Sequence, residues 1–367
     1  MNDTSPATPA TGLTVRGVRV RPVDVQLKQP AVTAAGTFGT FPVILIDLLT
    51  QEGITGSSYI FAYHRFALKP LVSLVESLAE MLQGQALNPG NLEELLQGRL
   101  RLIGAQGLAG MALGGLDMAA WDALARSVGL PLCELLGSRP RPVRAYATLK
   151  NMTPDGAARD ACRAATAGYA GVKVKAGTSL AQDRAVIEAI RREIGDSMAL
   201  MVDYNQMLSI PEAIARGNAL AEYQLEWIEE PTHAWDFEGH AEIARHVTTP
   251  ISIGETWHGV PDAARSMACK ASDYVMPDAM RIGGVTGWMR VAALAQAQGV
   301  PLSGHALPEL SVHLLAATPT AHWLEYADIV EAILQEPLQV RDGCMVAPTH
   351  PGFGLVWDER AVERMAA

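Results

Sequence analysis

The sequence predicts an α/β protein whose larger part is a closed (β/α) barrel of parallel strands. Three short apolar runs end at Asp203, Glu229 and Glu255, and these carboxylates follow one another at equal intervals of 26 residues. The segments between them have helical patterns, and strands that alternate with helices indicate βαβ units and a parallel sheet. A carboxylate at the end of each successive strand is typical of an active site at the C-terminal face of such a barrel.

The length and composition of the chain bound the class of protein. The 367 residues have room for one large and one smaller domain. An apolar content of 49% with 19% charged residues predicts a well-buried globular protein. The formal net charge of −10 argues against nucleic acid or an anionic membrane as a partner. The 4 cysteines form no CxxC pair, which predicts reduced thiols in a cytoplasmic protein.

The first third of the chain predicts a small α+β domain. Residues 1–12 lack the apolar core of a signal peptide and predict a flexible tail. Residues 13–138 carry three strand patterns followed by helical patterns. Inside this domain, the glycine-containing stretch at about residues 31–40 predicts either a mobile lid loop or a plain hairpin.

The barrel is predicted over residues 139–326, after the linker-like sequence Arg-Pro-Arg-Pro at 139–142. Its eight strand candidates lie at Val143–Thr148 and around Val172, Leu200, Glu226, Ile251, Tyr274, Pro301 and Trp323. Residues 327–367 contain turn residues but no further repeat. We therefore expect this C-terminal segment to return to the first domain.

Asp203, Glu229 and Glu255 are the candidate metal ligands. A single acidic residue after a strand is more often a helix cap or part of a turn. Three at matched spacing are hard to explain as caps, and three converging carboxylates form an oxygen-rich site suited to Mg²⁺, with Mn²⁺ as a substitute. Glu230 follows Glu229, and Pro231 disfavours helical geometry at Glu230, which favours a ligand role over a cap.

Two lysines and a histidine are candidate acid–base groups. Lys173 and Lys175 lie two residues apart in a strand pattern, so their side chains point the same way. Neighbouring ammonium groups and burial lower the pKa of a lysine, which makes it a general base near neutral pH. His305 follows an apolar run, and Asp278 is placed to orient it and make it more basic. The alternatives are a solvated lysine pair and a structural histidine.

Taken together, these residues predict the removal of a proton next to a carboxylate. Lys175 from the second strand and His305 from the seventh would act on opposite faces of the carbon, which allows its inversion. Lys173 and the metal would stabilise the enediolate that forms. A protonated Glu325, at the end of the last strand, could hydrogen-bond its other oxygen.

In their order and spacing these motifs resemble the enolase superfamily, mandelate racemase subgroup, over almost the whole chain. The matching stretches are Lys-Val-Lys at 173–175, Val-Asp-Tyr-Asn-Gln at 202–206, Trp-Ile-Glu-Glu-Pro at 227–231, Gly-Glu at 254–255, Met-Pro-Asp-Ala-Met at 276–280, His305, and the stretch 314–325. The resemblance implies a (β/α)7β TIM-like barrel with an N-terminal α+β capping domain that the C-terminal segment completes. It also implies Mg²⁺ on the three carboxylates, a small-molecule carboxylate substrate, and a homo-oligomer, specifically an octamer.

The resemblance further implies a role for each site residue. Lys175 would be the base on the (S) face, and His305, supported by Asp278, the base on the (R) face. Lys173 would bind the substrate carboxylate, and Glu325 would be the electrophile. The substrate-binding residues that it implies are Lys173, Asn205, Thr148, Glu325, Phe38 and Tyr63.

The substrate pocket departs from the pattern of the subgroup although the reaction machinery matches. Small residues at Ala31, Ala35 and Ala306 predict room for a different or larger substituent, which Phe38 partly opposes. Arg281 stands where the subgroup has a lysine, and Lys150 is new near the barrel mouth, beyond the first strand.

The resemblance implies a Mg²⁺-dependent racemase of mandelate or a related aryl or unsaturated 2-hydroxy acid. The alternative is an acid-sugar dehydratase that uses the same Lys-x-Lys and His–Asp groups. A polyol would need more polar residues than the lid offers, which favours the racemase. A Schiff-base aldolase would not need three carboxylates, and the complete set of acid, base and ligand residues argues against a non-catalytic Mg²⁺-binding scaffold.

Overall fold

An antiparallel sheet of three strands begins the chain in the computed structural model, which describes residues 12–33 and 36–367. The strands are β1 (Val15–Thr33), β2 (Gly36–Thr50) and β3 (Thr55–Phe61). β1 and β2 pair as far as Thr33 and Gly36, with a register shift between Gln26 and Ala31. The stretch predicted as a lid loop is therefore the tip of a long β-hairpin. Most of the predicted N-terminal tail, residues 1–11, lies outside the described residues, as does Ala35.

Four helices complete the capping domain, and the third lies between the sheet and the barrel. They are α1 (Arg65–Glu80), α2 (Pro89–Leu100), α3 (Leu108–Ser127) and α4 (Leu132–Leu135). Two glycines allow α3 to approach its neighbours at backbone distance. A Cβ on Gly56 of β3 would lie 2.1 Å from the carbonyl oxygen of Ala119, and a Cβ on Gly114 would lie 2.3 Å from that of Met280 in the barrel.

Eight parallel strands form the barrel, and the last pairs with the first to close it. The strands are β4 (Val143–Thr148), β5 (Gly171–Lys175), β6 (Ala199–Asp203), β7 (Trp227–Glu229), β8 (Ile251–Ile253), β9 (Tyr274–Val275), β10 (Leu302–Gly304) and β11 (Ala321–Tyr326). The predicted fold, a barrel behind an N-terminal capping domain, is confirmed.

Helices connect consecutive barrel strands. They are α5 (Pro154–Ala167), α6 (Leu180–Ile194), α7 (Ile210–Ala219), α8 (Phe237–His246), α9 (Val260–Ala268), α10 (Gly284–Gln298) and α11 (Pro308–Ala317). Several begin at polar caps, as with Ser179, whose side chain accepts a hydrogen bond from the backbone N–H of Gln182. Short 3₁₀ turns occur at Ala221–Tyr223 and Glu331–Ile333. In the described part of the chain, no helix combines the length and apolar character that a membrane span requires.

Large apolar side chains fill the lower half of the barrel. Tyr146, Met201, Trp227 and Trp323 form one buried cluster there. Met201 precedes Asp203 by two residues in β6, and Trp227 precedes Glu229 by two in β7. Because side chains two apart in a strand face the same way, each strand places a bulky group low in the barrel and a carboxylate above it. The packed floor thus confines the polar groups to the C-terminal mouth.

The C-terminal segment contacts both parts of the molecule. Its strand β12 (Cys344–Met345) pairs antiparallel with the first two residues of β4. Beyond helix α12 (Glu359–Arg364), the backbone N–H of Asp24 in β1 donates to the carbonyl of Met365 at 2.9 Å. The sequence led us to expect the contact with the capping domain, whereas the pairing with the barrel has no signal in the local pattern.

A buried hydrogen bond joins the capping domain to the barrel at Tyr59 and Glu309. The Tyr59 hydroxyl donates to the Glu309 carboxyl at 2.6 Å, and both side chains are buried. Burial raises the pKa of Glu309 to about 7, although the bond from Tyr59 lowers it. A raised pKa in the folded state means that this contribution to stability is complete below about pH 4 and is lost as the pH rises through about 7.

We expect Glu309→Gln to reduce the fall of the melting temperature between pH 5 and pH 8. The shift from 4.5 to about 7 corresponds to at most about 3 kcal/mol of pH-dependent stability, and a neutral glutamine has no proton to lose. Calorimetric melting temperatures across this range measure the effect. Glu94→Gln, at an exposed carboxylate of α2, is the control and should keep the wild-type slope. The same slope in Glu309→Gln would contradict the assignment.

Candidate active site

Asp203, Glu229 and Glu255 converge at the C-terminal mouth of the barrel. Asp203 ends β6, Glu229 ends β7, and Glu255 follows β8 after Gly254. One carboxylate oxygen from each lies within 4.8 Å of the others, and all three side chains are buried. Three buried carboxylates at this separation repel one another unless a cation lies between them, so the arrangement is a candidate metal centre.

Glu230 lies outside this group of three, although the sequence favoured a ligand role there. Its backbone has a φ of 36°, so it is non-helical as predicted. Its carboxyl oxygens accept hydrogen bonds from Thr256 Oγ1 at 2.5 Å and Gln206 Nε2 at 3.0 Å. Burial and the neighbouring Glu255 raise the pKa of Glu230 to about 8.

The two predicted lysines point into the mouth beside these carboxylates. Lys173 Nζ lies 2.6 Å from Glu229 Oε1 and 3.0 Å from Glu325 Oε1. Lys175 Nζ lies 2.5 Å from Asn205 Oδ1 and 3.4 Å from Asp203 Oδ2. Lys173 is buried, whereas Lys175 is partly exposed to the cavity above. The alternative of a solvated lysine pair is therefore wrong.

The prediction that the lysine pair lowers its own pKa is also wrong for this structure. Burial lowers the pKa of Lys175, but Asp203 and Glu255 raise it, and the net result lies above the ordinary lysine value. Lys173 likewise has a raised pKa, because burial is outweighed by Glu229 and Glu325. The physical reason is that carboxylates outnumber ammonium groups around both lysines.

His305 forms a hydrogen-bonded pair with Asp278, as the sequence predicted. Its Nδ1 lies 2.8 Å from Asp278 Oδ2, and the other oxygen of Asp278 accepts the backbone N–H of Met280 at 2.8 Å. The opposite ring nitrogen, Nε2, lies 3.1 Å from Glu255 Oε2. Burial lowers the pKa of His305, but Glu255 and its other partners raise it well above the ordinary value. The histidine is thus held at both ring nitrogens and faces the candidate metal centre.

Glu325 is held by two hydrogen bonds and by an ion pair with Lys173. Thr148 Oγ1 donates to Oε1 at 2.5 Å, and the backbone N–H of Ala306 donates to Oε2 at 2.9 Å. Burial raises the pKa of Glu325, but Lys173, His305 and these bonds reduce it to about 2. The sequence predicts a protonated group, and this prediction is wrong: with Lys173 at 3.0 Å, Glu325 is a carboxylate here.

A cavity of about 520 Å³ lies above these groups. All of the predicted site residues line it except Glu229 and Asp278, which lie beneath its surface. Its capping-domain wall is aromatic: the ring centroids of Phe41 and Phe61 are 4.9 Å apart, and those of Phe61 and Tyr63 are 4.5 Å apart. Phe38 and Ala306 line it as predicted, and the lining residues without an assigned role in the sequence analysis are Phe41, Phe61, His64, Gln206, Thr256, Arg281, Ala327 and Ile329.

The predictions for Ala31, Ala35 and Lys150 differ in outcome from those for Phe38 and Ala306. The side chains of Ala31 and Ala35 lie outside the described part of the structure. Lys150 Nζ pairs with Asp328 at 2.6 Å and is not among the residues that line the cavity. The missed residue Phe61 carried one signal, since it lies two residues before Tyr63, which was predicted to bind the substrate, but nothing in the sequence pattern indicated which way its ring points.

A barrel with three convergent carboxylates, a Lys-x-Lys strand, a His–Asp pair and a capping domain defines the class of metal-assisted proton-abstracting enzymes. Family models agree with this geometry. Residues 15–137 match the mandelate racemase/muconate lactonizing enzyme N-terminal domain, and residues 156–361 match the enolase C-terminal domain-like model. The chain belongs to the mandelate racemase subgroup of the enolase superfamily.

Three similar proteins cover nearly the whole chain. A solved enolase from Bradyrhizobium, complexed with magnesium and mandelic acid, is 44% identical with a TM-score of 0.92, over 97% of this chain and 99% of that one. L-talarate/galactarate dehydratase of Salmonella typhimurium is 32% identical over 87% of this chain and 81% of that protein. 3,6-Anhydro-alpha-L-galactonate cycloisomerase of Streptomyces coelicolor is 32% identical over 90% and 93%. Isomerases and lyases are therefore both found among its relatives.

Proposed function

We propose that this chain is a Mg²⁺-dependent racemase of mandelate or a related aryl or unsaturated 2-hydroxy acid. The observation that carries the proposal is the aromatic wall of the cavity, which faces the Lys175 and His305 side chains. An aryl substituent packs against such rings and also delocalises the negative charge that develops when the α-proton leaves. The mandelic acid complex of the 44% identical Bradyrhizobium enolase supports the same substrate class.

Asp203, Glu229 and Glu255 would hold the Mg²⁺ ion. The fit is good because Mg²⁺ prefers carboxylate oxygens and the three are buried within 4.8 Å of one another. The bound ion would supply two positive charges that polarise the substrate carboxylate and offset the carboxylates that now raise the pKa of Lys175. Mn²⁺ satisfies the same ligand set.

Lys175 and His305 act as the two bases. They come from β5 and β10, which are separated by two strands on one side of the barrel and by four on the other. A substrate carbon between them presents one face to each, with Lys175 on the (S) face and His305 on the (R) face. A proton taken by one base and replaced from the other inverts the carbon.

Lys173, Glu325, Asn205 and Thr148 position the substrate and receive its developing charge. Lys173 is buried and fixed between two carboxylates, so its ammonium group can donate to a substrate carboxylate oxygen without reorganisation. Thr148 already donates to Glu325, and Asn205 bridges Lys175 and Asp203. An anionic substrate that enters the site would favour protonation of Glu325. The protonated carboxyl group could then donate a hydrogen bond to the substrate.

An acid-sugar dehydratase is the second candidate, and the relatives favour it. The two curated relatives at 32% identity act on sugar acids, and the same Lys-x-Lys and His–Asp groups could remove an α-proton and then protonate a departing 3-hydroxyl. The cavity contains polar groups that a polyol could use, among them Gln206, Thr256 and Arg281. Phe38, Phe41 and Phe61 on the capping side offer a polyol no hydrogen bonds, which favours the racemase.

Proton NMR in D₂O with Mg²⁺ tests the proposal. (R)- and (S)-mandelate are incubated separately with the enzyme, and a panel of acid sugars is incubated in parallel. Loss of the α-proton signal with appearance of the opposite enantiomer supports the racemase. Formation of a 2-keto-3-deoxy acid from a sugar acid, with mandelate unchanged, would overturn it in favour of the dehydratase. The homo-octamer stays a prediction, which light scattering would test.

Asp278→Asn is expected to slow proton transfer by His305 more than proton transfer by Lys175. Asp278 accepts the hydrogen bond from His305 Nδ1, so its loss makes the imidazole less basic and frees its orientation. We expect α-proton exchange from the (R) enantiomer to fall about 10- to 100-fold, with a smaller change for the (S) enantiomer. Exchange rates in D₂O measure both, and equal losses for the two enantiomers would contradict the pairing.

A further inference from the structure

Arg281 is a cation in the wall of the active-site cavity that the proposed mechanism does not use. It follows Asp278 in the turn after β9, and its backbone N–H donates to the Asp278 carbonyl at 3.1 Å. Its side chain lines the active-site cavity and also two neighbouring cavities of about 360 and 480 Å³. The guanidinium group therefore lies where the catalytic cavity meets additional open space.

The surroundings of Arg281 leave its hydrogen-bonding capacity largely unused. Its guanidinium carbon lies 4.6 Å from the ring centroid of Tyr63, and the buried Nε has no hydrogen-bond partner among the residues that the structure describes. The Tyr63 hydroxyl is also buried, and the Arg281 guanidinium is its polar neighbour. The nearby anions Asp278 and Glu255 are both paired with His305 instead. A buried donor without an acceptor is costly, so an incoming acceptor would be bound with little competition from the protein.

Tyr63 holds the guanidinium in place at this position. Its backbone has a φ of 59°, which is unfavourable for an aromatic residue and is found where neighbouring structure imposes it. This conformation, directly after β3, places the ring against both Phe61 and Arg281. The stacked Arg–Tyr pair thus forms one end of the aromatic wall, and the planar donor fork of arginine suits a carboxylate or another oxygen group.

We propose that Arg281 is a specificity residue that binds an oxygen substituent on the side chain of the substrate. This inference rests on the proposed function and narrows it: the preferred substrate is an aryl 2-hydroxy acid whose ring carries a carboxylate or hydroxyl group. The 2-hydroxy acid end occupies the metal centre and Lys173, and the ring packs against the capping-domain aromatics. The ring substituent reaches the guanidinium group of Arg281.

The test compares mandelate with mandelate that carries a carboxylate at the meta or para ring position. In Arg281→Gln, we expect kcat/KM for the substituted substrate to fall about 10- to 100-fold more than kcat/KM for mandelate. Arg281→Lys, which keeps the charge but not the fork, should recover part of the loss. Arg265→Gln is the matched control, because Arg265 lies in the neighbouring cavity and pairs with Asp262. Arg265→Gln should leave kcat/KM unchanged for both substrates. Equal losses on both substrates in Arg281→Gln would overturn the proposal.

A binding measurement separates this proposal from the racemase assignment. Phenylacetate and 4-carboxyphenylacetate lack the 2-hydroxyl group, so titration calorimetry of the Mg²⁺-loaded enzyme reports binding alone. Tighter binding of the carboxylated probe, lost in Arg281→Gln and kept in Arg265→Gln, supports the role of Arg281 even if no mandelate is racemised. Racemisation of mandelate with no preference for the carboxylated probe would overturn the role of Arg281 and leave the racemase assignment standing.

Discussion

Lys175→Ala is expected to abolish racemisation, by about 1000-fold or more, while proton exchange continues from one enantiomer. In D₂O, the (R) enantiomer should still lose its α-proton to His305 and regain deuterium from the same side. The (S) enantiomer should stay protonated, because its face points to the missing lysine. His305→Asn should give the mirror result, with exchange from the (S) enantiomer only.

The physical reason is that each base serves a different face of the same carbon. Lys175 Nζ is fixed by Asn205 at 2.5 Å and Asp203 at 3.4 Å, and His305 is fixed by Asp278 at 2.8 Å. Lys173 lies on the same strand as Lys175 but cannot replace it as a base, because its ammonium group is paired with Glu229 and Glu325. Removal of one base therefore stops inversion without preventing substrate binding or proton transfer on the other face.

Proton NMR of each enantiomer, run separately, measures exchange and inversion in one experiment. Lys150→Ala is the control, because Lys150 also lies near the mouth but pairs with Asp328 and should leave both activities intact. Two outcomes would refute the two-base assignment. One is normal racemisation by Lys175→Ala, and the other is exchange from the same enantiomer in both variants.

The placement of the ligands and bases could be read from the sequence because it depends on local order. Strand periodicity and the position after each apolar run are enough to place Asp203, Glu229 and Glu255 at one barrel mouth. The same periodicity places Lys173 and Lys175 on one face of β5. Such a prediction does not require the distances between elements. The structure brings the predicted groups together at the barrel mouth.

The charge states could not be predicted in this way, because they depend on distances between elements. The local pattern of Lys-Val-Lys suggests mutual repulsion between the lysines, whereas carboxylates from other strands raise the pKa values of both. The carboxylates are Asp203, Glu229, Glu255 and Glu325. Glu325 is ionised for the same reason, through Lys173 and His305. The direction in which Arg281 points, and its contact with Tyr63 from the other domain, likewise have no signature in sequence spacing.

Glu255→Gln is expected to remove both Mg²⁺ binding and activity, although the shape of the side chain is kept. A neutral amide replaces one of three buried carboxylates, so we expect the Mg²⁺ affinity to fall about 100-fold or more. At a Mg²⁺ concentration 100 times the wild-type Kd, the metal stabilises the wild type by about 2.7 kcal/mol. The variant at the same concentration should gain only about 0.4 kcal/mol.

Calorimetric titration with Mg²⁺ and melting temperatures with and without the ion measure these effects. Glu230→Gln provides a matched control one residue away from the ligand Glu229. Glu230 is buried like the ligands, but it lies outside the group of three converging carboxylates, and its oxygens accept hydrogen bonds from Thr256 and Gln206. A glutamine keeps the shape of this side chain outside the group of ligands, and Glu230→Gln should keep the stabilisation by Mg²⁺.

The two variants together separate a metal ligand from a buried acid that only shapes the site. If Glu230→Gln lost Mg²⁺ binding as completely as Glu255→Gln, the set of ligands would have to include Glu230. If Glu255→Gln kept Mg²⁺ binding, or if the wild type racemised its substrate in excess EDTA, the metal centre would be wrong. Loss confined to Glu255→Gln is the result that three converging carboxylates within 4.8 Å lead us to expect, because only there does a lost charge face the cation directly.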